Sequence, residues 1–201
     1  MRTLIIDNYL QNSPEIEELY KVISEATVHT VEVHDYTSLA GADELKCYDA
    51  IVLSGSQSLL SDAGTLDYYN KEMEILRAIE KPTLGICFGH QLLAAAFGEQ
   101  IRRMPHKLDG YYSVHRLTDD ELFANVPEHF LVKQSHLEFV EDVPYNFIKT
   151  AESPNCVIEA MKHERLPIYG IQFHAERFND KHPFGQVIIE NFFKLATWFM
   201  K

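Results

Sequence analysis

The sequence predicts an α/β fold: a mostly parallel sheet with helices on both faces, continued by a small antiparallel extension. Strand-like and helix-like segments alternate through the first half of the chain, whereas short strand-like runs with little helix between them dominate the second half. Such alternation is typical of a parallel sheet covered on both faces by its crossover helices. The later runs predict the antiparallel extension.

The elements of the first half follow from apolar spacing. Buried strands are predicted over residues 3–6, 28–34, 49–53 and 83–86. An amphipathic helix is predicted over residues 14–26, and Met73, Leu76 and Ile79 recur at helical spacing in a second helix. Pro82 should stop that second helix, because proline lacks the backbone N–H that a helix needs.

The second half is predicted to contain further strands and a closing helix. The strands cover residues 111–117, 130–134, 147–151, 157–161 and 168–173. The closing helix covers residues 184–200, where one face carries the apolar side chains Val187, Ile188, Phe192, Leu195 and Phe199. A helix with such a face should pack back on the sheet.

Composition favours a single acidic domain. With 201 residues, 46% of them hydrophobic, the chain can bury one sizeable core, and we expect residues 1–201 to form one domain. Its 30 acidic residues, against 18 basic ones, should repel nucleic acid and anionic membranes. No apolar run approaches the ~18 residues of a spanning helix, and the start does not resemble a signal peptide. We therefore expect a cytoplasmic protein.

The three cysteines, Cys47, Cys87 and Cys156, are odd in number and far apart in the sequence. This spacing predicts neither a disulfide framework nor a zinc site, and we expect no metal in this chain. Only Cys87 lies within a recognisable motif.

The segment T-L-G-I-C-F-G-H-Q-L-L at residues 83–93 places Cys87 between Gly85 and Gly89, where a strand ends and a helix begins. This pattern is typical of a nucleophile elbow, which holds a reactive side chain above the carboxyl end of a parallel sheet. The following helix N-terminus favours a thiolate. A lone cysteine is more often inert and buried, but the glycines and the strand–helix context favour a nucleophile.

A thiol nucleophile needs a base, and the run Y-G-I-Q-F-H-A-E at residues 169–176 supplies His174 and Glu176. Because side chains alternate along a strand, these two are predicted to share one face. Glu176 could then hold the imidazole while its other nitrogen meets the sulfur of Cys87. A histidine at a strand end is often structural, yet its combination with the elbow predicts a catalytic triad.

Together, G-I-C-F-G-H-Q and G-I-Q-F-H-A-E resemble the motifs of the class I, or triad, glutamine amidotransferases. The loop V-L-S-G-S-Q-S at residues 52–58 falls where that family has its S-G-G-P oxyanion loop. Gln134, Ser135 and His136 fall where the family holds the backbone groups of glutamine. The resemblance spans nearly the whole chain and implies a flavodoxin-like three-layer arrangement.

The resemblance also implies a role for each matching residue. Cys87 would form a γ-glutamyl thioester from L-glutamine, His174 would protonate the departing ammonia and then activate water, and Glu176 would orient His174. The oxyanion hole would consist of the backbone N–H groups of Ser56 and Phe88. Substrate binding would fall to Gly55, Gln91, Ser135 and His136. Gln91 could instead pack its helix, and His136 could act through its backbone.

The chain departs from the family pattern at Ser56, Gln57 and Ala175, where the family usually has glycine, proline and proline. None of these departures removes a reactive side chain. Serine can supply the backbone N–H of an oxyanion hole, but a loop that needs positive φ would be strained by its Cβ.

Residues 158–170, I-E-A-M-K-H-E-R-L-P-I-Y-G, resemble the glutaminase subunit of split, archaeal-type GMP synthetases. In those enzymes an ATP-pyrophosphatase on another chain activates XMP and receives the ammonia. The present chain contains no ATP-pyrophosphatase motif or P-loop. We therefore expect no cofactor in this chain, and Mg-ATP only on the partner subunit.

Other hypotheses stay open. The start Asp7-Asn8-Tyr9 also resembles glutaminase subunits of anthranilate and aminodeoxychorismate synthases, so chorismate is an alternative acceptor. Relatives with a similar elbow are stand-alone γ-glutamyl peptidases or hydrolases. A non-catalytic module that kept the fold is disfavoured by the intact triad.

Overall fold

A computed structural model describes residues 1–11 and 13–199. Within them the strands are β1 (Arg2–Asp7), β2 (Thr30–Asp35), β3 (Ala50–Leu53), β4 (Thr83–Ile86), β5 (Ile101–Arg116), β6 (His129–Val140), β7 (Phe147–Glu152), β8 (Ala160–His163) and β9 (Ile168–Ile171). The α-helices are α1 (Glu15–Ala26), α2 (Thr65–Tyr68), α3 (Asn70–Arg77), α4 (Phe88–Ala96) and α5 (Phe184–Phe199). Among the described residues, no helix combines the length and the apolar character that a membrane-spanning segment requires.

The strands form one sheet in the order β2-β1-β3-β4-β9-β8-β7-β5-β6. Pairing is parallel from β2 to β9 and antiparallel from β9 to β6. The predicted α/β fold with an antiparallel extension is confirmed. The extension is larger than predicted, because β5 and β6 are 16 and 12 residues long.

Helices cover both faces of the parallel strands, and successive strand residues point into two different cores. On one face, Ile5 and Val52 belong to a cluster with side chains of α1 and α5. On the other face, Leu4 and Ile6 belong to a cluster with side chains of α3 and α4. Full burial of a side chain of this size contributes about 1.5–3 kcal/mol, so a one-residue slip of register would be costly. Because β3, β4 and β9 run parallel, their carboxyl ends lie at one edge of the sheet.

The observed element boundaries agree best where the apolar pattern is regular. The helices predicted over residues 14–26 and 184–200 are confirmed as α1 and α5, although residue 200 lies outside the described part of the chain. β5 begins at Ile101 rather than at residue 111. Its pairing with β6 shifts register between Arg103 and Leu108, and such a bulge breaks the two-residue alternation used to recognise strands.

Candidate active site

Cys87 occupies the sharp turn between β4 and α4. Its backbone has φ 52° and ψ −102°, a conformation that costs a residue with a side chain about 1–3 kcal/mol. A Cβ on Gly85 would lie 2.6 Å from the carbonyl oxygen of Gly89, and a Cβ on Gly89 would lie 2.5 Å from the Cβ of Leu53. Both glycines are therefore needed for the close approach of β3, β4 and α4 that forms the elbow.

His174 and Glu176 meet through a turn. The prediction that they share the face of one strand was wrong, because β9 ends at Ile171 and the chain turns immediately after His174. The backbone of His174 forms an isolated antiparallel bridge with Lys133 of β6. Its Nδ1 lies 2.6 Å from Oε1 of Glu176, with both side chains buried. The contact is as predicted, but its structural cause is different.

The charges around His174 favour its protonated form. Burial opposes a charge on the ring, but the negative charges of Glu176 and Cys87 and the hydrogen bonds with both raise the pKa of His174 to about 10. Burial also acts against the Glu176 carboxylate, yet the charge and hydrogen bond of His174 lower its pKa. At neutral pH the imidazole therefore holds a proton beside the Cys87 sulfur. Such a pair can stabilise a thiolate and supply an acid to a leaving group.

The expected oxyanion donors, Ser56 and Phe88, line the same cavity as Cys87. Phe88 is the first residue of α4, so its backbone N–H has no acceptor within the helix. Ser56 is not among the described non-glycine residues that adopt positive φ, so its Cβ does not strain the loop. The hydroxyl of Ser56 accepts a hydrogen bond from the N–H of Ser58 at 3.0 Å. The loop therefore tolerates serine where the family usually has glycine.

Gln57, which stands in place of the usual proline, ties the oxyanion loop to the segment before α1. Its amide oxygen accepts a hydrogen bond from the N–H of Leu10 at 3.1 Å. Its amide nitrogen donates to the Ser13 hydroxyl at 2.9 Å and to Glu15 at 3.4 Å. Hydrogen bonds here replace the conformational restriction that proline would provide.

A cavity of about 340 Å³ opens beside the sulfur of Cys87. Its wall brings together most of the residues singled out from the sequence: Cys87, His174, Ser56, Phe88, Gln91, Ser135 and His136. Glu176 stands behind His174, outside the wall. Gly55, which was expected to bind substrate, is also behind the wall, where a Cβ would lie 2.9 Å from the Tyr9 hydroxyl and 3.2 Å from Cε1 of His174. Its missing side chain makes room for the imidazole.

Gln91 and His136 meet at the backbone carbonyl oxygen of Glu138. The amide nitrogen of Gln91 donates to that oxygen at 2.9 Å and to the side chain of Gln172 at 3.1 Å. Nδ1 of His136 lies 2.8 Å from the same oxygen and must be the donor, since a carbonyl only accepts. Burial lowers the pKa of His136 to about 4, so the neutral ring keeps Nε2 as an acceptor. Both side chains therefore hold the backbone of β6 and also line the cavity.

Glu138 is a residue of this site that was not predicted from the sequence. Its buried carboxylate accepts the backbone N–H groups of Leu60 at 2.8 Å and Ser61 at 2.9 Å. It therefore anchors the chain that follows the oxyanion loop. A signal was present, because Gln134, His136 and Glu138 alternate along β6 and all face inward. A carboxylate on an inward face usually has a dedicated partner.

A second buried network supports the start of the oxyanion loop. The Ser54 hydroxyl accepts the N–H of Asn8 at 2.8 Å and donates to the carbonyl oxygen of Gly55 at 2.8 Å. The side chain of Asn8 in turn donates to the carboxyl group of Glu72 on α3 at 3.2 Å. Burial raises the pKa of Glu72 to about 8, so this group is largely protonated at neutral pH. The loop is thus held from both ends by buried acidic residues.

Comparison with known sequences agrees with this geometry. The family model described as glutamine amidotransferase class-I matches residues 4–196. A glutamine-hydrolyzing GMP synthase subunit of Archaeoglobus fulgidus is 34% identical over 198 residues, which are 98% of this chain and 99% of that protein. The protein of the same name from Pyrococcus abyssi is 41% identical over 146 residues, covering 73% of this chain and 74% of that protein.

Solved structures share the fold. A Thermoplasma acidophilum protein superposes with a TM-score of 0.86 at 24% identity, covering 100% of this chain and 96% of that one. A glutamine amidotransferase from Thermotoga maritima gives a TM-score of 0.78 at 18% identity, covering 98% and 97%. At such identities these structures show the fold alone. The family is shown by the model match over residues 4–196 and by the relatives of 34% and 41% identity. The chain belongs to the class I glutamine amidotransferases.

Proposed function

We propose that this chain is the glutaminase subunit of a two-chain GMP synthase and hydrolyses L-glutamine to glutamate and ammonia. The observation that carries this chemistry is the elbow cysteine beside a histidine that is fixed by a buried carboxylate. Such an arrangement divides one difficult acyl transfer into two easier steps. We propose further that residues 1–201 act as one domain, in the cytoplasm.

In the first half-reaction, the Cys87 thiolate attacks the side-chain amide carbon of glutamine. The carbonyl electron pair moves to the oxygen, where the N–H groups of Ser56 and Phe88 stabilise the negative charge. Loss of one such donor typically costs about 3–4 kcal/mol in related acyl transfers. His174 gives its proton to the amide nitrogen, the carbon–nitrogen bond breaks, and ammonia leaves a γ-glutamyl thioester on the enzyme.

In the second half-reaction, His174 takes a proton from a water molecule as the water oxygen attacks the thioester carbon. The carbon–sulfur bond breaks, glutamate leaves, and the thiolate and the protonated imidazole are restored. Glu176 occupies Nδ1 of His174, so the other ring nitrogen exchanges the proton with substrate. Glu176 also offsets the positive charge of the ring in a buried site.

Glutamine itself would be positioned by polar residues of the cavity wall. Ser135 and His136 come from β6, and Gln91 comes from the first turns of α4. The hydrogen bonds of Gln91 and His136 to the Glu138 carbonyl keep both side chains in one orientation. Prearranged polar groups of this kind lower the entropy cost of aligning the amide with the thiolate.

The proposal for the ammonia acceptor is supported by the relatives. They are named as subunits of a glutamine-hydrolyzing GMP synthase. The match to the Archaeoglobus fulgidus protein covers nearly the full length of this chain and of that protein. A separate ATP-pyrophosphatase subunit would bind Mg-ATP and XMP and use the ammonia. The present chain would need no cofactor of its own.

The test is glutamate release from glutamine by the purified chain alone, and by the chain with an ATP-pyrophosphatase subunit of GMP synthase, XMP and Mg-ATP. We expect strong stimulation by the complete mixture. Cys87→Ala should abolish glutamine-dependent GMP formation while the mixture still uses free ammonia. Cys47→Ala is the matched control, because Cys47 is an exposed thiol and the variant should stay active.

The other outcomes discriminate between the hypotheses. Glutamine turnover by Cys87→Ala would refute the nucleophile. Glutaminase activity that the ATP-pyrophosphatase mixture does not stimulate would indicate that the ammonia goes to another synthetase, such as one that uses chorismate. Cleavage of γ-glutamyl peptides by the chain alone would assign a hydrolase, for which the charged wall residues Glu15, Lys107 and Arg177 offer peptide contacts.

A further inference from the structure

The β5–β6 ribbon carries a cluster of metal-ligating side chains far from Cys87. His115 of β5 and His129 of β6 are direct partners in the antiparallel register, and Glu128 precedes His129 in the chain. One ligand atom from each of these three side chains lies within 4.8 Å of the other two. Ser135, near the middle of β6, is six residues from His129, which corresponds to about 20 Å of strand. The cluster is therefore separate from the glutaminase site.

The register explains why the two imidazoles meet. Directly paired residues of antiparallel strands project from the same face of the sheet, with Cβ atoms about 5 Å apart. The rings stack with centroids 4.5 Å apart and planes at 17°. Nε2 of His115 also lies 3.2 Å from a carboxylate oxygen of Glu128. Three groups whose ligand atoms lie within one small volume can act as a chelate.

These groups suit a particular class of metal ion. Two imidazoles and a carboxylate are preferred by borderline divalent cations such as Zn²⁺ and Ni²⁺, with metal–nitrogen distances of about 2.0–2.1 Å for zinc. Two nitrogens on a tetrahedral ion are about 3.3 Å apart, and each ring must hold the ion near its own plane, so the stacked rings must tilt apart to bind it. The side chains of His115 and Glu128 are 35% and 69% exposed, which leaves them free to turn.

We propose that His115, Glu128 and His129 bind one Zn²⁺-class divalent cation, with water completing its coordination, and that the ion links β5 to β6. The sequence did not indicate this site, because the two histidines lie in different strands and only the register brings them together. Glu152 of β7 pairs with His115 in the register, but its carboxylate is held by the Lys149 ammonium and is not one of the proposed ligands.

The proposal is tested by titrating the full chain with Zn²⁺ in isothermal calorimetry. A Cys87→Ala background removes the thiol beside His174 as a competing ligand. We expect one bound ion, and about tenfold or greater weakening in either His115→Ala or His129→Ala, because even outer-shell partners of a metal typically contribute 10–100-fold. His106→Ala is the matched control, since His106 is exposed on β5 outside the cluster.

Thermal unfolding provides a second readout. Zn²⁺ should raise the unfolding midpoint of the parent chain but not that of the His115→Ala, His129→Ala double variant, whose fold is checked by circular dichroism without metal. Equal Zn²⁺ affinity in parent and double variant would overturn the proposal. So would loss of binding in His106→Ala with retention in the double variant.

Discussion

Replacing Glu138 with alanine tests whether a carboxylate from β6 holds the loop that bears Ser56. Glu138 is 1% exposed and accepts the N–H groups of Leu60 and Ser61. A hydrogen bond to a charged group contributes about 1.5–3 kcal/mol, and an unsatisfied buried donor costs about 1–3 kcal/mol. Leu60 is buried, whereas Ser61 is exposed and its N–H can turn to water. We therefore expect the free energy of unfolding to fall by about 2–4 kcal/mol.

Urea unfolding would measure that loss, and glutamate release would measure the effect on the site. A displacement of the Ser56 N–H by about 1 Å can cost up to about 100-fold in kcat/KM. Glu138→Gln is the matched variant, because its one amide oxygen can still accept from Leu60 and should restore part of the stability. The reasoning would be refuted if Glu138→Ala had wild-type stability within about 0.5 kcal/mol and wild-type kcat/KM.

Three further predictions concern the elbow, the buried acid on α3 and the histidine. Gly89→Ala should destabilise the fold by at least about 1–3 kcal/mol, because its Cβ would stand 2.5 Å from that of Leu53; an unchanged urea midpoint would contradict this. Burial raises the pKa of Glu72 from 4.5 to about 8, so the free energy of unfolding of the wild-type chain should fall as pH rises across that range, by about 1.4 kcal/mol per pH unit. Glu72→Gln should lack this slope, and a slope equal to that of wild type would exclude Glu72 as its source. The pKa of His174 is raised from 6.5 to about 10, so its charged ring contributes full stability below pH 6.5, and that contribution is lost as pH rises through about 10. Urea unfolding measured at several pH values should show this fall in the free energy of unfolding for the wild type but not for His174→Gln.

The elbow was predictable because its cause is local. Gly85 and Gly89 stand at fixed offsets from Cys87, and the apolar run before the cysteine predicts a strand. The same is true of α1 and α5, whose apolar positions recur at helical spacing. The combination of the two motifs predicted that His174 faces Cys87. The structure agrees, because β4, which leads to Cys87, and β9, which precedes His174, are parallel neighbours.

Contacts between residues far apart in the sequence could not be predicted in this way. The oxyanion loop depends on Glu138, which lies 78 residues from Leu60 in sequence. A single sequence has no periodicity that links such positions. The long ribbon of β5 and β6 was also underestimated, because a bulge interrupts its alternation and much of it is exposed.

The α/β class, the strand–elbow–helix at Cys87 and the identity of the reactive groups could be predicted from the sequence, since these depend on neighbouring residues and side-chain chemistry. Contacts across the fold could not: Glu176 reaches His174 by a turn after β9, and buried acids from distant elements hold the oxyanion loop. The meeting of His115 and His129 likewise depends on strand register, which is set by the packing of whole strands.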